Sequence, residues 1–230
     1  MIMNDETFRV SDIFESISGE IGGFPQGTWL TVLRLQGCSL HCSYCDTSES
    51  RTPTGGRKMT LSAVTEDILQ RGNKYLLITG GEPLEQPLIT ALIDQLQDYE
   101  VEVQVETNGN HLLPVLGKVH WVVDQKCPSS GMDQWMIPVS AMAPTFRAIK
   151  SLGGTVCLKF VVSDETDVNY ALDLIEDYIA YDFFGPFAIS PVDAQGTKIE
   201  AIVKQIKERL PGLLNYIVFS VQLHKLCDMR

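Results

Sequence analysis

The chain has 230 residues, about one and a half times a typical domain of ~150, enough to bury a substantial core as one domain spanning residues 1–230. Hydrophobic residues make up 44% and charged residues 20%, with 18 glycines and 11 prolines, which excludes collagen-like, mucin-like and disordered classes. Eighteen basic residues against 29 acidic ones leave a net charge of −11, so nonspecific binding to a phosphate backbone is disfavoured and no nucleic-acid partner is expected. No apolar run approaches the ~18 residues of a membrane span. Asp5, Glu6 and Arg9 stand where a secretory signal would be apolar. A cytoplasmic protein without a membrane partner is the expectation.

In chain order, residues 8–20 alternate loosely and meet the turn Gly22-Gly23-Phe24-Pro25-Gln26-Gly27, which predicts an N-terminal strand and loop. The apolar run 29–35 predicts a buried strand leading through Gln36-Gly37 into Cys38. Residues 46–59 read as an excursion. Thr60 is a candidate N-cap for a helix whose apolar face is Leu61, Val64, Ile68 and Leu69, followed by a strand over 75–79. Leu88, Ala91, Leu92 and Leu96 mark a second helix, and strands follow at 101–106 and, after a short connection, at 119–123. The polar stretch 127–140, with two prolines, reads as a second excursion. Beyond it come a strand at 155–162, a helix at 167–181, a strand at 187–189, a helix at 198–210 and a last strand at 216–221. Strands separated by helices predict βαβ units and a mostly parallel sheet. A complete eight-stranded barrel typically takes about 250 residues. The fold class expected is therefore α/β: a partial, open parallel β/α barrel of about six strands with N-terminal and C-terminal additions.

Three of the six cysteines, Cys38, Cys42 and Cys45, fall within eight residues in a C-x3-C-x2-C triplet; Cys127, Cys157 and Cys227 are scattered. Without a secretory signal the triplet reads as metal ligation rather than as disulfides. Thiolates at these spacings can surround one cubane iron-sulfur cluster. Three ligands for four irons leave one iron open to a substrate or cofactor. The alternative is a structural zinc site completed by His41 or a distant cysteine. No second C-x2-C pair supports it, and His41 reads as a loop residue. Cys157 reads as a small core hydrophobe, and Met132, Met136 and Met142 as ordinary packing.

The triplet after one strand, together with Gly80-Gly81-Glu82-Pro83 at the end of another, resembles the radical S-adenosylmethionine superfamily. The resemblance implies a [4Fe-4S] cluster on Cys38, Cys42 and Cys45, with S-adenosylmethionine chelating the fourth iron and its amino end met by the glycine turn. Glycines let backbone approach a ligand closely. Four further places narrow the resemblance to the 7-carboxy-7-deazaguanine synthase family. Ile17-Ser18-Gly19-Glu20 resembles its substrate-binding loop, with Ser18 where glutamine is usual and Ile21 where a second glycine is usual. Arg34, just before the cluster loop, matches the family arginine and suits a carboxylate. Cys45-Asp46-Thr47 matches the family's Cys-Asp-Thr, which implies Mg²⁺ at Thr47. Gln222-Leu223-His224-Lys225 resembles its closing segment and implies substrate contact at His224, and Thr79 is placed at the substrate in the same way. By the same resemblance, Gly80, Gly81, Glu82, Glu106, Asn108, Lys126 and Ser190, the last in Ser190-Pro191-Val192-Asp193, belong to the cofactor site.

The activity implied is conversion of 6-carboxy-5,6,7,8-tetrahydropterin to 7-carboxy-7-deazaguanine, by ring contraction with loss of ammonia, on the route to queuosine and other deazapurines. A homodimer served by a reductase such as flavodoxin is implied as well. Two other readings of the cysteine triplet stay open at this point: a glycyl-radical activating enzyme, and a noncatalytic iron-sulfur or zinc-stabilised module.

Overall fold

The computed structural model describes residues 7–183, 185–192, 199–227 and 229, without the side chains of residues 224 and 225. Among the described residues nine strands form one sheet. β1 (Phe8–Ile17) lies antiparallel to β2 (Trp29–Leu35) on one side and to the short β3 (Arg57–Met59) on the other. From β2 the sheet runs parallel and in chain order through β4 (Tyr75–Gly80), β5 (Glu102–Thr107), β6 (Val119–Gln125), β7 (Thr155–Val162), β8 (Phe187–Pro191) and β9 (Ile217–Phe219). β3 and β9 end the sheet without pairing to each other, so the barrel is open. It has seven parallel strands, matching the seven runs read from 29–35 to 216–221, with β1 and β3 as the N-terminal addition.

Helices α1 (Leu61–Arg71), α2 (Ile89–Gln97), α3 (Val139–Ser151), α4 (Glu165–Ala180) and α5 (Ile199–Arg209) connect the parallel strands; a short α6 (Leu223–Leu226) follows β9. Thr60 does cap α1, its Oγ1 accepting from the Ala63 amide at 3.2 Å, and Gly72 in the left-handed region ends it. β5 and β6 are joined by residues 108–118 with no helix between them. Three elements escape the sequence reading, the short α6 among them. β3 lies in the first excursion. α3 begins at the end of the second excursion, preceded by Pro138 and with Pro144 inside it, a composition that reads as loop. Met142, Ala143, Phe146 and Ile149 nevertheless recur at helical spacing and are fully buried, and that burial outweighs the hydrogen bond Pro144 cannot donate.

The strands alternate between two environments. Leu33, Leu35, Leu76, Ile78, Val103, Val105, Trp121, Val123, Leu158 and Phe160 face outward into the main core under the helices. The opposite face lines the barrel interior, apolar near the strand starts and polar near their ends. There Arg34 stands beside Thr79 in register, and Asp124 beside Lys159. Among the described residues no helix is long and apolar enough to cross a membrane.

Candidate active site

A cavity of about 250 Å³ opens at the carboxyl ends of the parallel strands, where open and closed β/α barrels place their reactive groups. Cys38, Cys42 and Cys45 all line it, from the loop after β2. All three are free thiols, and burial pushes the Cys38 and Cys42 thiols up, so a bound cation is what would make them thiolates. Among the described residues no three histidine, cysteine or carboxylate side chains converge tightly enough to hold a single ion.

The cysteine loop is fastened from three sides. The Gly37 amide donates to Ser50 O, and the Ser39 amide donates to Glu85 Oε1 at 2.9 Å. Ser43 donates through its amide to Ser130 O and through its hydroxyl to Ser129 O at 2.7 Å. The turn that accepts from Ser43 is itself held by the buried Asp167, whose carboxylate accepts from the amides of Ser129 and Ser163. Asn108 Nδ2 approaches Cys38 Sγ at 3.6 Å.

The Gly80-Gly81-Glu82-Pro83 turn owes its glycines to the protein itself. Gly80 has φ +123, and a Cβ there would lie 2.3 Å from the Leu35 amide nitrogen. Gly81 donates its amide to Leu35 O and Glu82 donates to Gly37 O, so the turn grips the chain just ahead of Cys38. Gly80 and Gly81 line the cavity; Glu82 does not. Its fully buried carboxylate accepts from Leu84 N, from Thr107 Oγ1 at 2.7 Å and from Asn108 N at 2.7 Å. The Glu82 carboxylate thus braces Asn108 from behind the cavity wall.

The loop after β1 folds back into the barrel. Phe24 packs with Phe14, Leu30, Val32, Tyr75 and Leu77, and Ile21 packs against Val122, Cys157 and Ala188. These two side chains floor the barrel, so the departure at Ile21 has a packing role. Ile17, Gly19 and Glu20 line the cavity above that floor; Ser18 does not. Ser18 instead closes the loop, its amide donating to Thr28 O, its carbonyl accepting from Gly27 N and its hydroxyl donating to Glu20 O at 3.4 Å.

Arg34 lines the cavity with its guanidinium 5.3 Å above the Phe14 ring. Thr79 donates to Glu106 Oε2 at 3.2 Å, and both line the cavity. Burial and the neighbouring Glu20 carboxylate raise the Glu106 pKa from 4.5 to about 7. Thr47 lies 4.0 Å from Cys45 Sγ, oxygen to sulfur, beside Asp46. Lys126 pairs with Asp124 at 2.7 Å; burial disfavours its charge, but Asp124 outweighs that and holds the ammonium protonated. Ser190 lines the cavity while its hydroxyl donates to Ser220 O. The side chains of His224 and Lys225, and Asp193 altogether, lie outside the described residues.

The lining residues not singled out in the sequence include Lys159, Asp124, Tyr44 and Arg51. Lys159 had a legible signal. It is the one charge in the otherwise apolar strand Thr155–Val162, in phase with the interior-facing Cys157 and Val161. Its ammonium ion-pairs with Glu20, and Gln222 Nε2 donates to the other Glu20 oxygen at 2.7 Å.

Among the described residues, three buried polar atoms on lining residues have no hydrogen-bond partner: Arg34 Nε, Tyr44 OH and Asp124 Oδ1. An unmade buried hydrogen bond costs about 1–3 kcal/mol, which a polar ligand bearing both donors and acceptors would relieve. The donor set therefore fits a charged, zwitterionic cofactor and an anionic substrate beside the three thiols.

An unclosed parallel β/α barrel, with three cysteines on the loop after its first parallel strand, defines a radical S-adenosylmethionine enzyme. Residues 32–124 match the Radical SAM superfamily. The chain is 34% identical over 220 residues to the 7-carboxy-7-deazaguanine synthase of Methanospirillum hungatei, covering 94% of this chain and 84% of that one. It is 31% identical over 225 residues to that of Clostridium acetobutylicum, covering 95% of each. The fold matches the crystal structure of QueE from Escherichia coli with a TM-score of 0.65 at 19% identity, covering 95% of both chains. The chain belongs to the 7-carboxy-7-deazaguanine synthase family.

Proposed function

We propose that this one-domain enzyme converts 6-carboxy-5,6,7,8-tetrahydropterin to 7-carboxy-7-deazaguanine with loss of ammonia, for queuosine and related deazapurines. The observation that carries the reading is one cavity in which Glu20 and Arg34 share the space with Cys38, Cys42, Cys45 and Asn108. A [4Fe-4S] cluster on the three thiolates, with S-adenosylmethionine, supplies the hydrogen-abstracting radical when bound.

The chain's own residues bind and orient. Arg34, with a buried unpartnered Nε, receives the substrate carboxylate, and Glu20 accepts from the pterin N–H groups. Phe14, Val32, Leu77, Val122 and Val161 give the ring an apolar seat. Asp46 and Thr47 offer hard oxygens suited to Mg²⁺ at the carboxylate end. Gly80, Gly81, Glu106, Asn108, Lys126 and Ser190 surround the cofactor, and Thr79 and His224 complete the substrate's surroundings. The Glu20–Gln222 bond and the Leu223 amide, which donates to Gly19 O at 2.7 Å, draw the C-terminal segment over the opening. Closure of this kind excludes water and holds the reacting atoms in place. A homodimer, a flavodoxin-type reductase and a cytoplasmic setting complete the proposal.

The test is an anaerobic assay of the reconstituted protein with S-adenosylmethionine, Mg²⁺, dithionite and 6-carboxytetrahydropterin, read by chromatography. Formation of 7-carboxy-7-deazaguanine supports the reading. Cleavage of S-adenosylmethionine with no such product refutes it.

A further inference from the structure

Lys159 and Glu20 meet across the barrel interior from elements 139 residues apart in sequence. Each is almost fully buried, with 8% of its surface exposed. Removing one partner from such a pair leaves the other charge buried and uncompensated. The pair is also directional. Lys159 takes Glu20 Oε2 and Gln222 takes Oε1, so the carboxylate is held at both oxygens.

Around Lys159 the charged groups come from three other elements: Glu20 from the loop after β1, Glu106 from β5 and Asp124 from β6. Burial works against its charge, and these three carboxylates outweigh burial and keep it cationic. Arg34, by contrast, lines the same cavity with an unpartnered Nε and makes no ion pair among the described residues. Arg34 and Lys159 thus differ within one cavity: Arg34 keeps an unpartnered Nε, whereas the Lys159 ammonium, like that of Lys126 on Asp124, is committed to a carboxylate of the protein.

We propose that Lys159 is a positioning residue that keeps Glu20 in its anionic, acceptor-only form and aims it at the donor edge of the substrate ring. The proposal rests on the pterin reading above. A 2-amino-4-oxo pyrimidine ring presents an amino group and a ring N–H side by side, and an ionised carboxylate accepts from both. A protonated Glu20 would present a donor to one of those donors. Lys159 thus sets specificity for a guanidine-like edge through Glu20, without touching the reacting carbon.

The experiment measures binding of the fluorescent analogue 6-carboxypterin to the reconstituted protein, alongside KM and kcat for the turnover substrate. Lys159→Met is expected to weaken 6-carboxypterin binding and raise KM at least tenfold. Lys159→Arg, which keeps the charge, is expected to restore most of the binding. Because Lys159→Met strands a buried carboxylate and could fail to fold, the double variant Glu20→Gln/Lys159→Met is compared with Glu20→Gln alone. Equal affinities in those two proteins are expected, since Lys159 acts through Glu20. A further loss in the double variant, or unchanged binding in Lys159→Met, overturns the proposal while leaving the pterin reading intact. Failure of the parent protein to bind 6-carboxypterin overturns both.

Discussion

A Cβ added to Gly81 would fall 2.0 Å from the carbonyl oxygen of Gly37, the residue immediately before the first cysteine of the cluster loop. The glycine turn and the cysteine loop are thus one packed unit, and the turn cannot change without moving the loop. Gly81→Val should lower iron content after anaerobic reconstitution together with S-adenosylmethionine affinity. Iron and sulfide analysis checks this; full iron loading with weakened cofactor binding alone would show that the two loops are mechanically separate.

Cys38→Ala, Cys42→Ala and Cys45→Ala should each reduce iron loading and abolish reductive cleavage of S-adenosylmethionine. Cys157→Ala should keep both, because Cys157 packs with Val122, Ala188 and Ile21 in the barrel interior. Its cost is stability, on the order of 1 kcal/mol for a small buried side chain. Stoichiometric zinc without sulfide in the parent protein would count against the cluster.

Glu82→Ala should be costly to the fold. It leaves the amides of Leu84 and Asn108 and the hydroxyl of Thr107 without their acceptor in a fully buried place. Each unsatisfied buried donor costs about 1–3 kcal/mol. A urea midpoint close to that of the parent would contradict the bracing role.

Thr47→Ala should raise the Mg²⁺ concentration needed for half-maximal product formation while leaving iron content unchanged, since an oxygen ligand is lost and no thiol is touched. Product formation at several Mg²⁺ concentrations reads this out. An unchanged Mg²⁺ dependence removes Thr47 from the proposed metal site.

Glu106 carries a pH signature. Burial and Glu20 raise its pKa from 4.5 to about 7, so between those values the folded chain holds a proton that the unfolded chain has released. Stability from this group is present below pH 4.5 and is lost as pH rises through about 7. Glu106→Gln should therefore lose less stability than the parent between about pH 5 and pH 8. Denaturant midpoints of the two apo proteins at both pH values check the difference.

The sequence alone determined much of this protein, because the relevant signals are local. The apolar run Trp29–Leu35 leading into Cys38, and Thr60 ahead of a 3.6-residue pattern, are fixed by neighbours in the chain, and the structure keeps both. The cysteine spacing and the Gly-Gly-Glu-Pro turn carried the superfamily by resemblance, and the match of residues 32–124 to the Radical SAM superfamily agrees. Position in the cavity was legible for Cys38, Cys42, Cys45, Glu20 and Arg34. Only tertiary structure decided the rest. Helix α3 forms because Met142, Ala143, Phe146 and Ile149 find the sheet, a gain that composition around Pro138 and Pro144 does not reveal. Glu82 sits behind the cavity wall because Thr107 and Asn108, 25 and 26 residues away, supply its donors. The Lys159–Glu20 pair spans 139 residues, and Gln222 reaches the same carboxylate from 202 residues away. Such contacts are set by how parallel strands bring distant side chains to one face of the sheet. No local spacing encodes that, because the free energy of each contact depends on a burial that exists only once the sheet has curved around it.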